Sequence, residues 1–331
     1  MSEAPRTAPL GSEPIHPQPP TPLAHAPRRA RSNLTLRLVT AFLLIPPVLY
    51  AVYQGGLWVL AIVVGFTLQG LREFYDLIEQ KGAHPLRSFG LAAGAALPVV
   101  AYLGSEYHAT VLMTVVLLAM MVMQLSKSQI GEALESISGT FFGVFYVGWL
   151  LSHAVVLREF AGVVSGKWAD ASLSLMHPMV GAFYLLFAIS VVVAGDAGAY
   201  FAGRRWGRRK LAPNVSPGKT VEGAAGAVAA SVVLGLLLKG LADRFAPDLS
   251  AQLGWLAVLV LAAVLSVVGI IGDLVESLLK RDAEVKDSGT LLPGTGGILD
   301  RIDSNLLAIP VMYYLMLLYT YLDLGPAGGL R

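Results

Sequence analysis

The sequence predicts an all-α, polytopic integral membrane protein with about nine transmembrane helices and a cytoplasmic N-terminus. Three observations predict it. Only 14% of the 331 residues are charged, against roughly 25% in a typical soluble domain. Apolar side chains make up 55%, more than a soluble surface can conceal. These side chains also fall in continuous runs, many approaching the roughly 20 residues a spanning helix needs. A barrel would alternate instead. The absence of cysteine removes thiol catalysis and thiolate metal sites. A net charge of +2 gives no reason to expect nucleic acid as a partner.

Residues 1–31 hold eight of the 19 prolines and end in Arg28, Arg29 and Arg31. They read as a disordered Pro-rich tail, not as a signal peptide, because the apolar stretch that follows is too long. Nine apolar runs come next, at about 34–53, 56–79, 89–104, 108–125, 140–157, 178–195, 223–240, 254–276 and 304–323. The third and fourth are short and also fit a re-entrant pair. Pro46 and Pro47 are expected to kink the first helix. Gly90 with Gly94, and Gly139 with Gly143, have the GxxxG spacing that permits close helix packing. Residues 126–139 fit an interfacial amphipathic helix or a plain loop.

Lysine and arginine orient these runs. With the tail inside, 19 of the 24 basic residues fall on the cytoplasmic side and 5 outside. The same arrangement puts two polar segments, 196–223 and 273–303, on one face. They divide the chain into an N-terminal transmembrane region, 32–195, and a C-terminal region, 196–331.

The sharpest candidate site is in the second segment. Asp273 lies in a strongly apolar run, where an ionised carboxylate is costly unless paired or metal-bound. Asp273, Ser277 and Lys280 share one helix face, with Glu276 on an adjoining stripe. Asp300 and Asp303 open the ninth run. Three carboxylates on adjacent helix ends suit a hard cation such as Mg²⁺. The competing reading is that Asp300 or Asp303 caps its helix while Asp273 pairs with Lys280.

In the first segment, Asp196 ends an apolar run. A basic cluster follows (Arg204, Arg205, Arg208, Arg209, Lys210), then Ser216-Pro217-Gly218-Lys219-Thr220-Val221-Glu222-Gly223. Gly218-Lys219-Thr220 is not a P-loop, because position 213 is Pro where that motif needs Gly. A short polar turn opening a helix can still cradle phosphate. The arginines are equally explained by topology and headgroup contact. Glu73 and Asp76, beside Arg72, could reach the same cytoplasmic site, but are read first as an interfacial ion pair. The six histidines show no metal-ligand spacing.

The block Ser277-Leu278-Leu279-Lys280-Arg281, then Lys286-Asp287, then Leu292 through Asp303 with Gly296-Gly297 and Asp300-Arg301-Ile302-Asp303 resembles the signature of the phosphatidate cytidylyltransferase (CDP-diacylglycerol synthase) family. Asp196-Ala197-Gly198-Ala199-Tyr200-Phe201 and the stretch from Leu211 to Gly223 resemble the second block of its bacterial members. The resemblance implies transfer of CMP from CTP to phosphatidate. It implies Mg²⁺ held by Asp273, Asp300 and Asp303, and admits a second cation nearby. Lys280, Arg281, Arg301 and Lys219 would bind phosphate groups in the catalytic centre. Ser216, Thr220, Ser277, Lys286, Thr295, Gly296, Gly297 and Asp196 would contact substrate, with Tyr200 or Phe201 against cytosine. A homodimer in the cell (inner) membrane is implied too, with membrane lipids around it and the site on the cytoplasmic face. The family usually has His where this chain has Thr295. The phosphate of phosphatidate is already ionised near neutral pH and needs alignment more than deprotonation, so a hydroxyl can serve there. A CTP-dependent polyprenol or phytol kinase and a transporter with an intramembrane acid site are the rival readings.

Overall fold

The computed structural model describes residues 30–104, 106–126, 131–167, 177–291 and 296–324. The described residues are almost wholly helical. In order they are α1 (Ala30–Gln54), α2 (Gly56–Gln80), α3 (Arg87–Tyr102), α4 (Glu106–Leu125) and α5 (Ala133–Gly143). A π-helical turn (Val144–Trp149) joins α5 to α6 (Leu150–Arg158), and α7 (Phe160–Lys167) follows. Then come α8 (Val180–Trp206), β1 (Lys210–Ala212), β2 (Ser216–Thr220), α9 (Val221–Phe245), α10 (Pro247–Ser250), α11 (Trp255–Asp282) and α12 (Leu299–Leu324).

All nine apolar runs fold as helix. Among the described residues, seven helical stretches are long and apolar enough to cross a membrane: those of α2, α4, the continuous α5–α6 run, α8, α9, α11 and α12. The apolar part of α1 that meets this description is the shorter Phe42–Gln54, and α3 has 16 residues. Helix α1 runs on through Pro46 and Pro47. One expectation is corrected. From Ala133 onward, the stretch expected to be an interfacial helix or loop is the first part of the α5–α6 run, which is long and apolar enough to span. Ser136 and Thr140 face inward, with Ser136 donating to the carbonyl of His84 at 2.6 Å and Thr140 Oγ1 accepting from the amide of Leu86 at 2.7 Å. Buried polar groups are tolerated once they are paired in this way.

Small residues set the packing. A Cβ on Gly90 would lie 2.1 Å from the Tyr75 hydroxyl, one on Gly94 2.2 Å from Leu71, and one on Gly143 2.7 Å from Tyr75. Both GxxxG pairs therefore seat α3 and α5 against α2. Helices α8 and α9 approach still closer. A Cβ on Gly226 would meet Ala202 at 2.2 Å, and one on Gly198 would meet the carbonyl of Gly226 at 2.5 Å. The core shared by α8, α11 and α12 includes Tyr184, Phe187, Leu265 and Leu306, all buried.

The chain alternates direction, so helix ends collect on two faces. Lys81 after α2 pairs with Asp282 at the end of α11 at 2.6 Å. At the opposite face, Arg158 closes α6 by donating to the carbonyl of Val52 in α1 at 2.6 Å. Residues 196–223 and the described parts of 273–303 lie at the first of these faces.

Candidate active site at the helix ends

Two adjoining cavities open at this face. One, of about 280 Å³, is lined by Asp196, Asp273, Lys280, Asp300, Arg301 and Asp303, among others. The second, of about 390 Å³, shares Asp196 and Asp273 and is bounded by Tyr200, Arg204, Lys219 and Thr220. Close approach of α11 and α12 builds the floor. A Cβ on Gly272 would lie 2.7 Å from the carbonyl of Asp303, so only glycine permits this crossing.

The structure brings Asp273, Glu276 and Asp303 together, with carboxylate oxygens within 4.8 Å of one another. Asp300 lines the same cavity but is held by other partners. Its Oδ1 lies 2.7 Å from Lys280 Nζ, and its Oδ2 accepts from the amides of Gly297 at 2.8 Å and Ser288 at 3.0 Å. The close acidic trio among the described residues is therefore Asp273, Glu276 and Asp303, with Glu276 one helical turn beyond Asp273. The expected pairing of Asp273 with Lys280 is also replaced. Asp273 pairs with Lys219 at 2.7 Å, and Lys280 spans Asp300 and Glu276.

The cluster fits a divalent cation on the chemistry of its donors. Glu276 is fully buried, and its Oε1 has no hydrogen-bond partner among the described residues. Its contact is the Lys280 ammonium, which Asp300 shares. Three oxygen ligands this close repel one another unless a positive charge lies between them. Tyr146, which the sequence argument passed over, projects from the π-helical turn. Its buried hydroxyl has no hydrogen-bond partner among the described residues and lies in the field of Glu276, Asp303 and Asp273. Such turns are frequent at functional sites, yet nothing in the local sequence marks this one.

The other expected residues divide. Lys219 lies in β2, not in a turn, and β1 pairs with β2 as an antiparallel hairpin. Ser216 is at the opposite end of that strand, across from Ala212. Thr220 caps α9, its hydroxyl accepting from the amide of Gly223 at 3.1 Å, while still lining the second cavity. Ser277 lies 3.4 Å from Asp273 Oδ1. Arg281 is exposed and reaches the carbonyls of Val215 and Val285, both at 3.4 Å, so it ties the hairpin to α11. Arg301 and Lys286 are exposed at the cavity face and in the following loop, respectively. Gly296 has φ +90°, and a Cβ there would meet Asp300 at 2.5 Å. Gly297 packs against Glu73 and Ser288. Both glycines thus have a steric reason beyond substrate contact. Thr295 lies outside the described residues. Tyr200 lines the second cavity and bonds Arg204 at 2.9 Å; Phe201 is exposed.

The expected pairing of Glu73 and Asp76 with Arg72 is corrected as well. Asp76 pairs with Arg87 at 2.7 Å. Glu73 turns into the protein and accepts from the amides of Ile298 at 3.0 Å and Leu299 at 2.8 Å.

The cytidylyltransferase family model matches residues 35–319. The chain belongs to the cytidylyltransferase family. Relatives named phosphatidate cytidylyltransferase include one from Synechocystis, 31% identical over 86% of this chain and 97% of that protein. Another, from Brucella suis, is 35% identical over 85% of this chain and 93% of its own. A third, from Bacillus subtilis, is 45% identical over 42% of this chain and spans about half of that relative, 49%. The family match covers both motif segments and also α2, which carries Glu73.

Proposed function

We propose that this family member is a phosphatidate cytidylyltransferase, producing CDP-diacylglycerol and pyrophosphate from CTP and phosphatidate. The observation that carries the reading is the joining of Asp273, Glu276 and Asp303 with Lys219 and Lys280 at one end of an apolar helix bundle. Such a site meets a lipid headgroup from the bilayer and a nucleotide from water. A phosphate oxygen of phosphatidate attacks the α-phosphorus of CTP. The bond to the bridging oxygen of the β-phosphate breaks, and pyrophosphate leaves with that electron pair.

Asp273, Glu276 and Asp303 would hold Mg²⁺, with Asp196 across the cavity as the residue placed to meet a second cation. A bound divalent ion supplies charge neutralisation on the phosphates and helps align the displacement. Lys219 brings a positive charge from β2 to the boundary between the two cavities. Arg301 offers a planar fork suited to phosphate oxygens. Lys280 holds Asp300 and Glu276 through one ammonium and limits the repulsion between them. Tyr200 and Arg204 border the larger cavity, where a base would stack.

The basic-residue distribution supports a cytoplasmic motif face in the cell (inner) membrane. The homodimer rests on the family resemblance and is read out by cross-linking in native membranes.

The test is a membrane assay with phosphatidate, α-labelled CTP and a Mg²⁺ titration. Label is expected in the lipid fraction with stoichiometric pyrophosphate. Labelled CDP with a newly phosphorylated lipid would overturn the reading in favour of a lipid kinase. Cation flux across liposomes with no CTP turnover would overturn it in favour of a transporter.

A further inference from the structure

Glu73 lies on α2, about 225 residues from the segment it touches. It is buried, at 2% exposure, and its hydrogen bonds engage four uncharged donors. They are the amides of Ile298 and Leu299, Ser288 Oγ at 3.4 Å and Gln69 Nε2 at 3.0 Å. A carboxylate sealed from water, with no ion pair among the described residues, needs another source of positive potential. The N-terminus of α12 provides it: Leu299 opens a 26-residue helix, whose first amides lack intrahelical partners and carry the positive end of its dipole. Two glycines make the approach feasible. A Cβ on Gly289 would lie 2.9 Å from Glu73, and one on Gly297 would lie 2.3 Å from its Oε2.

The residue directly after Leu299 is Asp300, and Asp303 is one turn further along the same helix. The amides that Glu73 and Asp300 divide between them, those of Ser288, Gly297, Ile298 and Leu299, form one continuous cradle. We infer that Glu73 is a positioning residue for the cytidylyl-transfer site: from α2 it anchors the start of α12 and so sets where Asp300 meets Lys280 and where Asp303 joins Asp273 and Glu276. It touches no reacting atom in this role. The inference rests on the reading under Proposed function for its catalytic consequence, and on the hydrogen bonds alone for its structural one.

The test compares full-length wild type with Glu73→Gln in lipid nanodiscs. An amide of the same size offers one acceptor oxygen and turns an N–H₂ toward a backbone donor. Loss of a supporting contact behind metal ligands typically costs about 10- to 100-fold. The variant is expected to lose kcat and to need more Mg²⁺ for half-saturation, each within that range, with KM for phosphatidate within about twofold. Amide exchange, followed without substrate, is expected to accelerate across residues 296–301. Unchanged kcat and Mg²⁺ half-saturation would overturn the inference. So would activity lost only in proportion to unfolded protein, or exchange unchanged across 296–301. If Glu73→Gln does not accumulate folded, Gly289→Ala presses on the same carboxylate. The same shifts are then expected, and wild-type values overturn the inference. Wild type that makes no CDP-diacylglycerol would defeat the functional reading, whereas the exchange result would still decide the anchor.

Discussion

Lys280 Nζ lies 2.7 Å from Asp300 Oδ1, joining the end of α11 to the first turn of α12. The same ammonium contacts Glu276. The Lys280, Asp300 and Glu276 side chains are only 14%, 8% and 0% exposed, so little water screens this contact.

Removing that ammonium therefore strands two acids. Breaking one partner of a buried pair commonly costs about 3–5 kcal/mol. Lys280→Met is expected to lower the unfolding temperature and abolish measurable transfer. Adding Asp300→Asn should restore part of the stability, because one stranded charge is gone. Thermal unfolding of the single and double variants measures this coupling. Additive losses would show that the pair is not energetically linked.

The acidic cluster separates the two carboxylates that spacing could not. Glu276→Gln and Asp303→Asn should each raise the Mg²⁺ concentration for half-maximal activity by more than about tenfold, on the scale seen for metal-site substitutions. Asp300→Asn should shift that value less and act mainly on kcat. A Mg²⁺ titration of CDP-diacylglycerol formation decides it. A larger shift for Asp300→Asn than for Glu276→Gln would return Asp300 to the metal site.

Lys219 and Asp273 are 2.7 Å apart with side chains 23% and 33% exposed, so their pairing is partly screened. Lys219→Ala is expected to raise KM for CTP at least about tenfold, in line with loss of one charge-assisted phosphate contact. The unfolding temperature should change little. Initial rates over a CTP series check this. An unchanged KM would remove Lys219 from nucleotide binding.

Gly226 tests the scaffold apart from the chemistry. Its missing side chain faces Ala202 and the backbone of Gly198, neither of which can rotate away. Gly226→Ala should destabilise by about 1–3 kcal/mol, the usual cost of overpacking. Turnover per folded molecule should fall less than in the acid variants. Unfolding midpoints and active-site titration together report both quantities.

Much of this was legible in the sequence for physical reasons that act locally. Scarce charge and long apolar runs determined a membrane-embedded helical protein, because a bilayer requires continuous apolar helix with its backbone bonds satisfied internally. The contiguous motif block identified the family, and Asp273 and Asp303 stood out as acids placed where acids are costly. Tertiary structure decided which carboxylates meet. Whether Asp300 or Glu276 faces the cluster depends on where Lys280 settles, and Lys280 answers to two helices at once. That Lys219, not Lys280, neutralises Asp273 follows from the β-hairpin folding back over α11. That Glu73 reaches the site was only the weaker of two sequence readings for the same reason. An acid next to Arg72 at the end of a helix looks like a surface ion pair. Only the arrival of the α12 N-terminus, from the far end of the chain, gives that carboxylate a buried positive pole to accept.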